Sequence, residues 1–223
     1  MNCKRITIFA GHYGSGKTNI ALNYALTLKE QFPKVSIADL DIVNPYFRTK
    51  DSEKMLNENG IRLICSEYAN SNVDVPALPA EVYAVVDDKS MYAVLDVGGD
   101  DRGALALGRY VEKIKAENNY EMLFVVNKFR PLTPDAPSTV EIMKEIESAC
   151  NLKFTGIVNN SNLGEETTKE DIISSLSYAE EISKLSGLPI KFTSVKNSLY
   201  SEVSEKHKNV FKLDLFVKQS WLK

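Results

Sequence analysis

The sequence has no long apolar run. Nowhere in its 223 residues does an uninterrupted hydrophobic stretch approach the roughly 20 residues needed to span a bilayer. The amino-terminal run at 6–10 is too short for the hydrophobic region of a signal peptide, and a glycine-rich loop interrupts it. Cysteine is scarce as well. Cys3, Cys65 and Cys150 form no C-x-x-C pair, which argues against a disulfide framework, a zinc site or a bound metal cluster, and for a reducing compartment. A cytoplasmic location is the expectation. Internal repeats, low-complexity tracts and linkers are missing, so 1–223 reads as a single domain. Excess charge is missing too. A net charge of -3 gives no signal of nucleic acid as the main partner, and the tail is not convincingly the amphipathic helix of a membrane-binding protein.

What is present is ordinary globular material, 43% apolar and 26% charged, arranged as short apolar runs alternating with longer amphipathic segments. That alternation predicts a three-layer α/β/α fold with a mainly parallel central sheet of about seven strands. The strands are expected at 5–10, 35–39, 61–65, 92–96, 121–127, 154–159 and 189–195. A helix is expected to start at Thr167 or Thr168, where Thr167 and Glu170 have capping-box spacing. Its apolar stripe reads Ile172, Ile173, Leu176, Ala179, Ile182 and Leu185, with Gly187 and Pro189 closing it. A second helix, near 138–150, carries Val140, Met143, Ile146 and Cys150 on one face. The run NVFKLDLFVKQSWL at 209–222 fits either an edge strand or an amphipathic helix.

One motif carries chemistry. Gly11, His12, Tyr13, Gly14, Ser15, Gly16, Lys17 and Thr18 fit G-x-x-x-x-G-K-[ST] at every fixed position, and the loop lies between an apolar strand and a helix that begins with Asn19 and Ile20. Glycines let the backbone curl until successive N–H groups converge on phosphate oxygens at the positive end of a helix. Lys17 adds a point charge near the β- and γ-phosphates, and the Thr18 hydroxyl offers an oxygen to Mg²⁺. The predicted ligands are therefore ATP and Mg²⁺. Two acidic strand ends face such a loop: Asp39 with Asp41 in ADLDIVNPYFR, and Asp96 in YAVLDVGGDD. In the second, D-V-G-G fits D-x-x-G, whose glycine, Gly99, is placed to contact a γ-phosphate. V-V-N-K-F-R at 125–130 begins like the guanine-reading N-K-x-D motif, but Arg130 stands where the acid belongs, which favours ATP over GTP.

With loop and acids in this order, residues 4–195 resemble the MinD/ParA class of ATPases, which includes the nitrogenase iron protein and the nucleotide-binding domain of cobyrinic acid a,c-diamide synthase. The resemblance implies that Asp41 positions the attacking water, that Asp39 and Asp96 hold Mg²⁺ largely through its waters, and that Thr18 ligates it directly. It places Asn159, with Asn160 beside it, at the adenine. One departure stands out: His12 replaces the family's second loop lysine, which reaches the partner subunit's nucleotide, and Tyr13 replaces a glycine. Slow basal hydrolysis follows, or another activating residue, with Arg48 and Arg102 as first candidates. The resemblance implies a homodimer and a protein partner that reads the nucleotide state, with 41–48 as the first switch. The alternatives are a metabolic enzyme with a substrate pocket built by 66–82, and a regulator with almost no turnover.

Overall fold

Alternation within each strand decides the layering. In β1 (Ile6–Ala10), Ile6, Ile8 and Ala10 pack into one core and Phe9 into another. The same split separates Leu95 and Val97 from Val94 in β4 (Tyr92–Val97), and Phe124 and Val126 from Leu123 and Val125 in β5 (Tyr120–Val126). A strand buried on both faces needs helices on both. The computed structural model describes residues 3–41, 49–65, 81–99 and 101–217, with backbone alone at Lys50, Asp51, Glu81, Asp101 and Arg102. It shows an α/β fold of three layers around a parallel sheet.

The remaining strands are β2 (Val35–Leu40), β3 (Arg62–Ile64), β6 (Gly156–Asn159), β7 (Ile190–Lys196) and β8 (Val210–Leu213), and the sheet runs β3-β2-β4-β1-β5-β6-β7-β8. All of its ladders are parallel. One face is covered by α1 (Lys17–Lys29) and α2 (Glu53–Glu58). The other carries α3 (Glu81–Asp87), α4 (Asp101–Gly108), α5 (Val111–Glu117), α6 (Ala136–Cys150) and α7 (Lys169–Ser186). Near the sheet edge, α8 (Asn197–Ser204) packs on β7 and β8.

All seven expected strands are present. The ambiguous tail supplies an eighth, β8, in which Phe211 and Leu213 are buried while Lys212 is exposed; its period of two decides for a strand. α7 starts at the second of the two expected positions, and its capping box is shifted by one residue. Thr168, in extended backbone, is the cap and pairs reciprocally with Asp171, whereas Thr167 bonds back to Gly164 O at 2.7 Å. The buried stripe is also rotated. Ile173 and Leu185 are exposed at 41% and 54%, while Ser175 and Tyr178 point inward. Polar partners draw that face in, since the Tyr178 hydroxyl lies 2.7 Å from Thr139 Oγ1 on α6 and donates to Thr133 O at 3.2 Å. No helix among the described residues is long and apolar enough to cross a membrane.

Candidate nucleotide-binding site

Parallel strands place all their carboxyl ends on one edge of the sheet. From β1 the chain crosses to β2 on one side of the sheet, and from β4 it crosses back past β1 to β5. Connections that part in this way leave a crevice at the strand ends, the usual place for a ligand in an open α/β sheet. The 11–18 loop leaves β1 there. Asp39 and Asp96 end β2 and β4 on one side, and residues 127–130 and 160–162 follow β5 and β6 on the other.

The loop is packed against neighbours that tolerate only glycine. A Cβ on Gly11 would overlap the Val125 carbonyl oxygen, and one on Gly99 would lie 2.5 Å from Tyr13 N and 2.7 Å from Gly11 O. Gly99 therefore touches the backbone of the loop's first turn. Gly14 and Gly16 are left-handed, and Gly16 caps α1, whose amino end opens at Lys17. Ser15 N donates to His12 O at 3.1 Å, and Lys17 Nζ donates to the same oxygen at 3.2 Å. Lys17 is only 6% exposed. The Ser15 hydroxyl is buried without a hydrogen-bond partner among the described residues. His12 Nδ1 sits 2.9 Å from Tyr13 O, and the Tyr13 ring is exposed.

The acids converge as the strand register dictates. Asp39 and Asp96 are direct partners across β2 and β4, and Asp41 N donates to Asp39 Oδ1 at 3.0 Å. Asp96 is 1% exposed, and its Oδ1 has no hydrogen-bond partner among the described residues. Burial raises its pKa to about 6; the Lys17 ammonium and the hydroxyls of Thr18 and Thr49 pull it down, and Asp41 pushes it up. Thr49 donates to Asp96 Oδ2 at 3.0 Å from the 3-10 turn Thr49–Ser52, a contact that no sequence pattern announced. Among the described residues no group of three or more His, Cys, Asp and Glu could hold a metal by itself. The donors present are one hydroxyl and two facing carboxylates, all oxygen. That set suits Mg²⁺, which takes few protein ligands and completes its shell with water and phosphate. The buried, unpartnered Asp96 oxygen fits the same role.

The raised pKa of Asp96 has a measurable consequence. Between the ordinary value of 3.8 and about 6, the folded state binds more protons at this carboxyl than the unfolded state. Its contribution to stability therefore falls as pH rises through that window. Without metal or nucleotide, Asp96→Asn is expected to melt above wild type at pH 7–8, and the gap should close progressively between about pH 6 and 4. Thermal melts across that range check it; a gap independent of pH would contradict a buried, ionising carboxyl.

Several of the expected site residues have partners within the protein. Asn159 is fully buried; its Nδ2 donates to Ser175 Oγ at 2.9 Å, and its Oδ1 accepts from Ser161 Oγ at 2.7 Å. Asn160 Nδ2 donates to Ser15 O at 2.7 Å, and its Oδ1 accepts from Ser194. Both amides expected at the base are thus engaged inside the protein, where Asn160 braces the phosphate loop. Asn19, in the first turn of α1, clamps the carboxyl-terminal segment. Its Oδ1 accepts from Phe216 N and Val217 N at 3.0 Å each, and its Nδ2 donates to Val217 O at 3.0 Å. Asn127 holds the turn after β6 through Asn162 N and O at 3.3 and 3.2 Å. Arg48, residues 42–48 and 66–80, and the side chain of Arg102 lie outside the described residues.

No protein-family model matches the sequence, and no curated protein matches it. Solved structures do. The chain is similar to the cell division protein FtsY of Thermotoga maritima, with TM-score 0.60 and 20% identity over 85% of this chain and 61% of that one. It is similar to FtsY of Mycoplasma mycoides, with TM-score 0.55 and 20% identity over 85% and 59%. It is also similar to the signal recognition particle receptor FtsY of Elizabethkingia anophelis in complex with GDP, with TM-score 0.51 and 16% identity over 87% and 58%. The chain spans about three fifths of the length of these structures. At such identity the likeness concerns the fold alone, an α/β architecture built on a parallel sheet.

Proposed function

We propose that this chain is a P-loop ATPase of the MinD/ParA type, binding Mg·ATP and acting as a nucleotide-dependent switch with slow basal hydrolysis. One observation carries the reading: the 11–18 loop meets the Asp39–Asp96 pair at one edge of a parallel sheet. Main-chain amides at the amino end of α1 hold the phosphates, and Lys17 neutralises the β- and γ-oxygens. Bound between Thr18 and the two carboxylates, Mg²⁺ would neutralise the charge that develops on the phosphates. Asp41, two residues beyond Asp39, orients a water toward the terminal phosphate. Gly99 lies against the loop's first turn, where a terminal phosphate would be felt.

Both ends of 42–48 support the switch. Asp41 is tied to Asp39 through its backbone, and Thr49 is tied to Asp96 through its hydroxyl. A change at the two carboxylates reaches each end of that segment at once. For the base, the geometry favours a cavity of about 420 Å³ lined by residues that include Lys196, Asn197, Leu213, Asp214 and Leu215. It shares Lys196, Leu213 and Leu215 with a smaller recess against Asn160 and Asn162. Leu213 and Leu215 offer an apolar face there, and Asn197, Ser198 and Asp214 offer hydrogen-bonding groups, a mixture that suits a purine. ATP is favoured because Arg130 stands where a guanine-reading acid would, and the Asn127 amide is engaged by its own turn and by Asn162. One structural neighbour holds GDP, which makes competition between ATP and GTP the direct check.

The test is phosphate release with Mg·ATP. Asp41→Ala is expected to slow it by roughly 10²–10⁴-fold, the usual worth of a positioned acid–base group, while affinity for a non-hydrolysable ATP analogue stays within a few-fold. Unchanged turnover would assign the water to another carboxylate.

A further inference from the structure

Arg130 leaves β5 in an ordered turn: its N–H donates to Asn127 O at 3.3 Å, and its carbonyl accepts from Thr133 N at 3.1 Å. From there its Nε donates to Gly14 O at 2.6 Å. A Cβ on Gly14 would lie 3.4 Å from Arg130 Nε and 3.6 Å from its Cδ, so the side chain lies along the crest of the phosphate loop. Lys17 holds His12 O of the same loop. Two cations from different elements are thus fixed by carbonyls two residues apart.

The guanidinium is half-buried, and desolvation lowers its pKa without any carboxylate acting on it. Among the described residues no acid pairs with it, and of its five N–H groups only the Nε–H is engaged. A partly desolvated cation without a counter-charge is costly, and an anion arriving beside it removes that cost. The loop it rests on is shaped to bring an anion there.

We infer that Arg130 is a second cation of the phosphate site, supplied in cis by the β5–α6 loop, and that its guanidinium binds a phosphate oxygen of the nucleotide cradled by residues 11–18. The inference rests on the nucleotide-binding reading and deepens it. A guanidinium is always charged and offers a planar fork to phosphate oxygens, so one N–H can stay on Gly14 O while others bind the ligand. Charge that the loop itself lacks at His12 is thereby delivered from a neighbouring strand end.

The alternative is a purely mechanical brace, in which the bond to Gly14 O shapes the loop and nothing more. Glutamine separates the two, because it keeps a donor for Gly14 O and removes the charge. Titration calorimetry of the full chain with Mg·ADP and with a non-hydrolysable Mg·ATP analogue is run on wild type, R130K, R130Q, R130A and K17A. Melting curves confirm that each variant is folded. Arg130→Gln and Arg130→Ala are each expected to weaken binding about tenfold or more, with Arg130→Lys keeping most of the affinity. The dependence of affinity on salt should also become shallower in the glutamine variant. Wild-type affinity in R130Q beside a loss in K17A overturns this inference and leaves the nucleotide reading standing. No binding by wild type overturns both.

Discussion

Lys17→Ala is expected to weaken Mg·ATP binding by roughly 10²–10³-fold, the equivalent of about 3–4 kcal/mol for removing one partner of a desolvated charge pair. The side chain is 6% exposed, so little water competes for its ammonium. Its ammonium donates to His12 O at 3.2 Å, within the loop itself. The substitution also truncates a side chain at the start of α1, where alanine is a good helix former. The binding loss should therefore appear in a folded protein, whose stability the melt reports. Titration calorimetry with ATP in the presence of Mg²⁺, paired with a thermal melt, reads both quantities. Wild-type affinity in the variant would mean that the ammonium does not meet the phosphates.

Arg5→Ala is expected to lower the stability of the fold by about 3–5 kcal/mol, measured by urea unfolding. Arg5 is 3% exposed and does not face the site. Its guanidinium pairs with Glu117 at the end of α5 through Nε and Nη2. The remaining donors satisfy carbonyls at the end of α3 and just after it: Val86 O at 2.7 Å, Asp88 O and Met91 O at 3.1 Å, and Val85 O at 3.2 Å. One side chain thus ties β1, α3, α5 and the approach to β4. Alanine would leave a mostly buried carboxylate and four carbonyls without their donor, against a total stability of about 5–15 kcal/mol for a typical domain. Arg5→Lys should recover only part of the loss, because an ammonium cannot fork between a carboxylate and several carbonyls. A loss under about 1 kcal/mol would show that water replaces the guanidinium at little cost.

Much of the architecture was legible from local pattern. Near-continuous apolar runs located seven strands, since strands covered on both faces carry apolar residues at successive positions. The loop was legible because its glycines answer to contacts within one tight turn and its immediate neighbours. Asp39 and Asp96 were legible as a pair because both end strands, and strand ends in a parallel sheet share one edge. Where sequence reading went astray, the deciding partner was distant. The stripe of α7 rotated toward Tyr178 and Ser175 because Thr139, Thr133 and Asn159 offered hydrogen bonds. Asn159 and Asn160, expected at the base, also make hydrogen bonds within the protein.

What the sequence alone determined is the class of fold, the place of the 11–18 loop and the strand ends that carry Asp39 and Asp96, because hydrophobic period and motif spacing are properties of neighbouring residues. Only the tertiary structure decided which cations serve which groups. Arg130 reaches Gly14 across 116 positions and Arg5 reaches Glu117 across 112, and Thr49 finds Asp96 across 47. No spacing rule encodes such pairings. They follow from strand order, which is set by the burial of both faces of the sheet at once.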